Sequence, residues 1–394
     1  MSSSNLELVA AIKEVTYGIT PAAGNFQTVR YTSESLSGNP NNIESAEARQ
    51  DRASGGSFIS GLEVAGDINV EIAPGEYADF YLSALMAPSW VAAVSTAPGT
   101  YVIDNTTHTI TDTTPGVDLT TIFQVGGLVK LTSGFLAANN GQAVYITAVA
   151  PTVITYAGTL TTQVVTSAGI LTNPQHAGTG GGSSTTIHSF TMEKNFLDLT
   201  DKAIDYTGML VNGLKLNMAW GALLTGAFSF NGQGWNIPAT PITNPPRVVD
   251  PPGTNGPLNA SQDITQIIIN STVQSLCFQK LDITLNNGLT PQNCLGRLVA
   301  QSFTPGTATI DIAADLYLGN TSFQYVANKI TNTPISIYGV AQNAKGGIGF
   351  VMPTVLLNSP DPASGGANQD IVLNLTGKTV APPSGANQFT LYIL

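Results

Sequence analysis

The stretch that decides the fold runs from Arg30 to Leu85 and reads RYTSESLSGNPNNIESAEARQDRASGGSFISGLEVAGDINVEIAPGEYADFYLSAL. Within it, residues 62–72 alternate between two kinds of side chain. One parity is apolar apart from a single glycine: Leu62, Val64, Gly66, Ile68, Val70 and Ile72. The other parity carries Glu63, Asp67 and Glu71. Since successive side chains of a strand point to opposite faces, the pattern predicts a strand with one apolar and one acidic face.

Pro74 follows this strand and predicts the start of a short helix, because a proline in the first helical turn loses no hydrogen bond. The apolar residues that come next recur at helical spacing and form one stripe. They are Tyr77, Phe80, Tyr81, Ala84 and Leu85. A strand and an amphipathic helix thus adjoin, with no catalytic motif between them.

Composition indicates a folded, mainly β protein. Of the 394 residues, 42% are hydrophobic and only 10% are charged, and the chain contains 40 glycines and 23 prolines. This balance favours many short strands joined by turns over long helices. The length allows two or three domains.

The net charge of −11 excludes an ordinary nucleic-acid-binding surface, which would be basic. Two interpretations of the acidity stay open. It provides solubility, or it forms a surface past which DNA slides without sticking.

No enzyme is predicted. The sequence contains no nucleophile elbow, P-loop, HExxH or dinucleotide fingerprint. His108, His176 and His188 are too far apart for a metal-ligand spacing, so we expect neither a metal nor a cofactor. Asp198, Asp201 and Asp205 surround a predicted turn. They could bind a hard cation, but helix capping is the expected role.

Two further expectations concern the compartment. The start Met1-Ser-Ser-Ser lacks the features of a signal peptide, and no apolar run is long enough for a membrane helix. We therefore expect production in the cytoplasm and no membrane partner. Cys277 and Cys294 are expected to be free and partly buried.

The chain divides into a discontinuous domain and an insertion. Residues 1–89 and 187–394 are predicted to form one domain, and residues 90–186 a small all-β module. The module is Thr-rich, contains Lys130 as its only Lys or Arg, and ends in a glycine-rich linker composition. Asn139-Asn140-Gly141 inside it predicts a hairpin turn.

The third part contributes two more alternating strands. In Leu210–Trp220, one face is predicted to hold Leu210, Leu214, Leu216, Met218 and Trp220, with Val211, Lys215 and Asn217 opposite. In Ile310–Leu318, Asp311 and Asp315 lie opposite the apolar face. A short helix is predicted next, because Phe323, Val326 and Ile330 recur at helical spacing.

Taken in order, these pieces resemble the tail tube (major tail) proteins of bacteriophages with long, non-contractile tails. The resemblance is carried by Arg30–Leu36, Ile43–Arg52, the strand Gly61–Ile72 and Pro74–Phe80, all within residues 30–85, which are about a seventh of the chain. Weaker similarity follows at Phe190–Leu199 and Thr309–Leu357.

The resemblance implies a mainly β tail-tube-type sandwich or barrel with one or two short helices, plus the small all-β insertion facing outward. It implies a structural virion protein that forms six-fold rings stacked into a tail tube. The implied partners are other copies of the chain, the tape measure protein, and the tail terminator and tail-tip proteins. DNA would pass through the lumen without specific binding during ejection. The implied location is the phage tail, assembled in the host cytoplasm.

Within this hypothesis, five carboxylates are candidates for lining the lumen. They are Glu63, Asp67, Glu71, Asp311 and Asp315. Repeated by ring symmetry, they would give a negative wall that repels DNA. The alternative is that they form the solvated face of a sheet, and the sequence leaves both open.

The polar stretch Leu36–Phe58 is predicted to be a long loop or hairpin ordered by contact with the adjacent ring. Its charged residues would set the register between rings. They are Glu44, Glu47, Arg49, Asp51 and Arg52. A disordered surface loop is the alternative.

Two rival functions share the same composition. One is a different β-rich phage structural protein, either a capsid decoration protein or a fibre. The other is a carbohydrate-binding β protein, for which Trp90, Trp220 and Trp235 would be the stacking platforms.

Overall fold

The structure is a computed structural model. It describes residues 4–47, 50, 55–114, 116–179, 185–243, 248–270, 272–273, 278–359, 362, 366–382 and 386–394.

The elements of the first part are β1 Glu7–Lys13, β2 Phe26–Thr28, β3 Ser33–Glu34, β4 Ser37–Glu44, β5 Ser57–Glu71 and α1 Ala78–Leu85. The middle part contains β6 Val94–Ser95, β7 Gly99–Asp104, β8 Thr109–Asp112, β9 Leu128–Ser133, β10 Ala143–Ala150, β11 Val153–Ala157 and β12 Gln163–Asn173.

The remaining elements begin with β13 Gln175–Thr179, β14 Ser189–Phe196, β15 Ala203–Ala219, β16 Thr225–Gly232, β17 Gly234–Asn236, β18 Val249–Asp250, β19 Ile264–Ile269, β20 Thr272–Val273 and β21 Phe278–Asn286. They continue with β22 Thr290–Gln292, β23 Ser302–Thr304, β24 Thr309–Tyr317, α2 Gln324–Thr331, β25 Ile335–Asn343, β26 Gly346–Ser359, β27 Val372–Thr379 and β28 Phe389–Ile393. The predicted mainly β fold with short helices is confirmed.

One antiparallel layer, here called the main sheet, positions the candidate site. Its strand order is β4–β5–β16–β15–β21–β24–β27, and the second half of β26 continues it beyond β27. The predicted strand over residues 61–72 is the end of β5, whose Val64, Ile68 and Val70 are buried while Glu63 and Asp67 are exposed. The alternation therefore forms as the pattern predicts.

A second layer covers the apolar face of the main sheet. It contains β1 and β14, which continue from the first half of β15, and the group β13–β28–β26–β25–β19. Apolar side chains of both layers form one core: Ile68, Phe228, Leu216, Ile283 and Ile312 of the main sheet, with Val9, Phe190, Ile337, Phe350 and Leu391 of the second layer. The architecture is a β-sandwich.

Helix α1 packs in this core through the predicted stripe. The Phe80 ring lies 5.0 Å from Phe190 and 5.4 Å from Phe228 between centroids, both edge to face. The predicted start at Pro74 is wrong, because α1 begins at Ala78. Tyr77 adopts a left-handed φ of 60°, and its hydroxyl donates to the Arg30 carbonyl at 2.9 Å, so a turn precedes the helix.

Two details of β15 differ from the prediction. Val211 is buried and not on the polar face, because a bulge between Val211 and Gly213 shifts the alternation. Trp220 lies beyond the last residue of β15 and is exposed. The apolar face of this strand therefore ends at Met218.

The strands β6 to β12 form a separate sheet with its own core. In the order β12–β7–β8–β11–β10–β9 the sheet closes on itself through pairing of β9 with β12, and β6 joins β12 at its end. Tyr101, Ile110, Val144 and Ile154 are among its buried residues. β13, inside the range 90–186, pairs instead with β28. The division into an inserted module and a discontinuous domain stays a prediction.

Candidate functional site

The five candidate carboxylates lie on one face of the main sheet. Glu63, Asp67 and Glu71 come from β5, and Asp311 and Asp315 come from β24, with the three strands β16, β15 and β21 between them. Since the neighbours of these residues in both strands are buried in the same core, their side chains share the opposite, polar face. Two segments about 240 residues apart are thus brought onto one surface.

The pairing registers place further polar residues between them. Asn217 and Asp282 follow one another across the sheet, level with Glu71, and Lys215 and Thr284 lie in the adjacent row, level with Asp311. On the described strands of this polar face, six carboxylates accompany three lysines. They are Glu63, Asp67, Glu71, Asp282, Asp311 and Asp315 with Lys215, Lys280 and Lys378.

Two of the five candidate carboxylates, Asp311 and Asp315, have side-chain partners on the same face. Lys378 Nζ lies 3.8 Å from Asp311 Oδ1, and Asn374 Nδ2 donates to Asp315 at 2.5 Å. Among the described residues, no Lys or Arg forms an ion pair with Glu63, Asp67 or Glu71. The β5 side of the polar face is therefore the more negative one.

Lys280 and Asp282 also lie on the polar face, and the sequence analysis did not predict them there. Lys280 Nζ and Asp282 Oδ2 are 2.5 Å apart, and this pairing raises the pKa of the Lys280 ammonium. The alternation of FQKLDITLN in β21 is the signal that could have found them.

The predicted loop over residues 36–58 begins as strand β4, which pairs with β5 from Ser37–Ala65 to Glu44–Ser57. The hairpin form of the prediction is therefore what the described residues show. Glu44 and Glu47 are exposed on it. Arg49, Asp51 and Arg52 lie outside the described residues.

A buried carboxylate, Glu14, ties several segments together. Its oxygens accept hydrogen bonds from Gly18 N at 2.7 Å, Gly208 N at 2.9 Å, Ser189 Oγ at 2.6 Å and Thr191 Oγ1 at 2.8 Å. These four hydrogen bonds satisfy the buried carboxylate and hold the turn after β1 in place. Glu14 therefore has a structural role.

A second buried group pairs two acids across β14 and β15. Glu193 is directly opposite Asp205, and both are buried. Glu193 also accepts from Ile242 N at 2.5 Å and from the Thr243 hydroxyl. Burial, and next the charge of Glu193, raise the pKa of Asp205 to about 7. The predicted helix-capping role of Asp198, Asp201 and Asp205 is wrong, because these residues lie between and within strands.

The histidines and cysteines do not form a site with these carboxylates in the described part of the chain. Within the described part of the chain, no three His, Cys, Asp or Glu residues are grouped as metal ligands would be. His188 Nε2 lies 2.8 Å from the Ala87 carbonyl, and burial lowers the pKa of its ring. Cys294 is exposed and not partly buried as predicted, while Cys277 lies outside the described residues. Neither described helix has the length and apolarity to cross a membrane.

The fold is thus a mainly β sandwich with a polar face assembled from strands that are distant in sequence. A family model described as phage tail tube protein matches residues 4–379, so the chain belongs to the phage tail tube protein family. The resemblance noted in the sequence is thereby confirmed, and the family places the protein in the tail of the virion. A comparison with curated proteins gave no match.

Proposed function

We propose that six copies of the chain form a ring, that rings stack into a tail tube, and that the polar face of the main sheet lines the bore. The observation that carries the proposal is the placement of all five candidate carboxylates on this one face. A sheet face covered by polar side chains needs water or a hydrated channel in front of it.

The edges of the main sheet support ring closure. Among the described strands, β4 pairs with β5 alone, and β26 beyond Val355 pairs with β27 alone. Each of these two strands therefore has one unpaired edge. Open edges invite pairing with another chain. Edge-to-edge pairing between subunits would join the sheets into a continuous barrel, which leaves no edge exposed.

The charge of the polar face suits a channel through which DNA moves. Six carboxylates outnumber three lysines, and at least two of those lysines are paired with carboxylates of the same face. Phosphates would meet a wall with a net negative charge and few free cations, and binding would stay weak. DNA would then pass during ejection without being trapped.

The small sheet β6–β12 supports an outward position for the inserted module. Leu128, Tyr145 and Ala157 of this sheet pack on Tyr338 and Tyr392 of the second layer. These second-layer residues point away from the shared core. The module therefore docks on the side of the sandwich opposite to the polar face.

The partners follow from the proposed tube. During assembly the bore would hold the tape measure protein, and the ends of the tube would contact the tail terminator and tail-tip proteins. Assembly would take place in the host cytoplasm.

Electron microscopy of the purified protein at high concentration tests the proposal. Hollow tubes of stacked rings are the expected result. Isolated trimers or spikes would instead support a fibre or decoration protein, and binding on a glycan array would support the carbohydrate-binding alternative.

A further inference from the structure

A short segment on the outer face of the second layer, residues 237–243, is held in place by a buried carboxylate, and we call it the strap. Glu193 Oε2 accepts a hydrogen bond from Ile242 N at 2.5 Å, and Glu193 Oε1 accepts one from the Thr243 hydroxyl. The strap begins directly after β17, which pairs with β15 at Asp205. Both ends of the strap are therefore fixed beside the Glu193–Asp205 pair.

The acid pair is closed off from water. Glu193 is 0% exposed, and Asp205 and Thr243 are each 7% exposed. Asp205 Oδ1 is itself buried, and no hydrogen-bond partner reaches it from the described residues. A single proton shared by the two groups would satisfy this arrangement, because a protonated carboxyl group can donate to a neighbouring carboxylate.

No cation compensates the two acids. In the described part of the chain, no Lys, Arg or His forms an ion pair with either carboxyl group. Glu14, bound to Thr191 on the same face of β14, adds negative charge, and burial raises the pKa of the Tyr17 hydroxyl near it. Lys194 points to the opposite face, where it pairs with Glu34. The residues that face the pair from the neighbouring strands are uncharged: Ala10 of β1, Asn195 of β14 and Asn236 of β17.

We propose that the Glu193–Asp205 pair is a proton-operated latch, which holds the strap while it carries one proton and releases the strap when both groups are ionised. With one proton, Glu193 keeps its charge and accepts from the strap, while Asp205 donates to Glu193. Once the proton leaves, two buried carboxylates repel each other without a counter-charge, and water relieves the repulsion.

The strap is the element whose displacement admits that water. The strands β1, β14 and β15 around the pair are joined by continuous ladders of hydrogen bonds, whereas the end of the strap is bound to the pair through Ile242 and Thr243. Local opening takes place where the fewest bonds must break. Release of the strap therefore costs less free energy than separation of the strands.

Release would uncover an apolar surface. Ile242 packs on a small cluster of Ala10, Ile12 and Phe26, which lies outside the shared core of the sandwich. The latch is closed at acidic pH, because burial, and next the charge of Glu193, raise the pKa of Asp205 to about 7. The closed state is lost as the pH rises above that value, so the apolar surface that the subunit exposes depends on pH.

Hydrogen exchange of the Ile242 amide tests the latch, because this N–H donates directly to Glu193. Its protection factor, corrected for the intrinsic exchange rate at each pH, should be constant below pH 6 and fall by about tenfold per pH unit above pH 7. At pH 8.5 the Ile242 amide should exchange at least about tenfold faster than the paired amides of β14, because the strap opens without the strands.

A substitution provides the control for the proton. Asp205→Asn retains a donor toward Glu193 and cannot ionise, so its Ile242 protection should be the same at pH 6 and pH 8.5. Asp67→Asn, an exposed acid on the polar face, should follow the wild-type protein. Three results would overturn the latch: protection of Ile242 that does not change with pH in the wild-type protein, an equal change in Asp205→Asn, or protection equal to that of the β14 amides.

Discussion

The ring of Tyr145 stacks on the ring of Tyr338, with centroids 3.9 Å apart and planes inclined by 14°. Tyr145 belongs to β10 of the closed sheet β6–β12, here called the barrel, and Tyr338 belongs to β25 of the sandwich. At the same contact Gly349 has no side chain, and an added Cβ would lie 2.7 Å from Leu128 Cδ1. The barrel is therefore docked on the sandwich by close packing and is more than a tethered appendage.

A double-mutant cycle should measure this contact. Tyr145→Leu and Tyr338→Leu should each lower the free energy of unfolding, with a coupling of about 0.5–1.5 kcal/mol between them, because stacked aromatic rings add that much beyond their burial. Chemical denaturation of the four proteins gives the coupling. Tyr145→Leu with Phe135→Leu, which lies elsewhere in the barrel, is the control pair. A coupling of zero for the Tyr145–Tyr338 pair would contradict a docked barrel.

Excision of the barrel should leave a sandwich that still assembles. Val94 and Asn173 are cross-strand partners, so an Asn-Gly turn can replace residues 95–172 and keep β13 in place. The cut exposes Tyr338 and Val351, and we expect poor solubility unless both are changed to threonine. Electron microscopy should then show thinner tubes with the bore unchanged. Complete loss of polymerisation in the soluble, folded variant would place the barrel in the ring contact.

Stability should fall as the pH rises through neutrality because of Asp205. Its pKa is about 7 in the folded chain and near 3.8 when exposed, so the folded state holds the proton more tightly. The stabilisation is complete below about pH 4 and is lost as the pH passes 7. Asp205→Asn should remove this step, so its stability relative to wild type should rise by up to about 1.4 kcal/mol per pH unit within that window.

Denaturation at pH 5 and pH 8.5 measures the Asp205 effect. The exposed Asp67→Asn provides the control and should follow the wild-type curve. Identical pH dependence in wild type and Asp205→Asn would show that the Glu193–Asp205 pair does not hold the proton.

The strands β5, β15 and β24 could be predicted because each buries only one face. A strand with one buried face alternates apolar and polar residues, and this alternation is visible in the sequence. The sequence could not reveal that β5 and β24 share a sheet, since this depends on pairing through β16, β15 and β21. The bulge at Val211 and the left-handed Tyr77 were also missed. Both depend on tertiary contacts: a shifted register with β16 in one case, and a hydrogen bond to Arg30 in the other.

Charge reversal on the polar face should slow DNA ejection. Glu63→Lys with Glu71→Lys should fold and form tubes, because both side chains point away from the core, but the new cations would hold phosphates at the wall. Ejection kinetics of assembled phage measure the effect. Asp104→Lys with Asp118→Lys makes the same charge change on the barrel and should eject at the wild-type rate. Normal ejection by the Glu63 and Glu71 variant would remove these residues from the lining.

The most direct test of the central claim is a cryo-EM reconstruction of the assembled protein at side-chain resolution. We predict that the barrel β6–β12 lies on the outer surface of the tube and that five carboxylates face the bore: Glu63, Asp67, Glu71, Asp311 and Asp315. A reconstruction in which the polar face of the main sheet lies on the outside, or in which the barrel occupies the lumen, would contradict it.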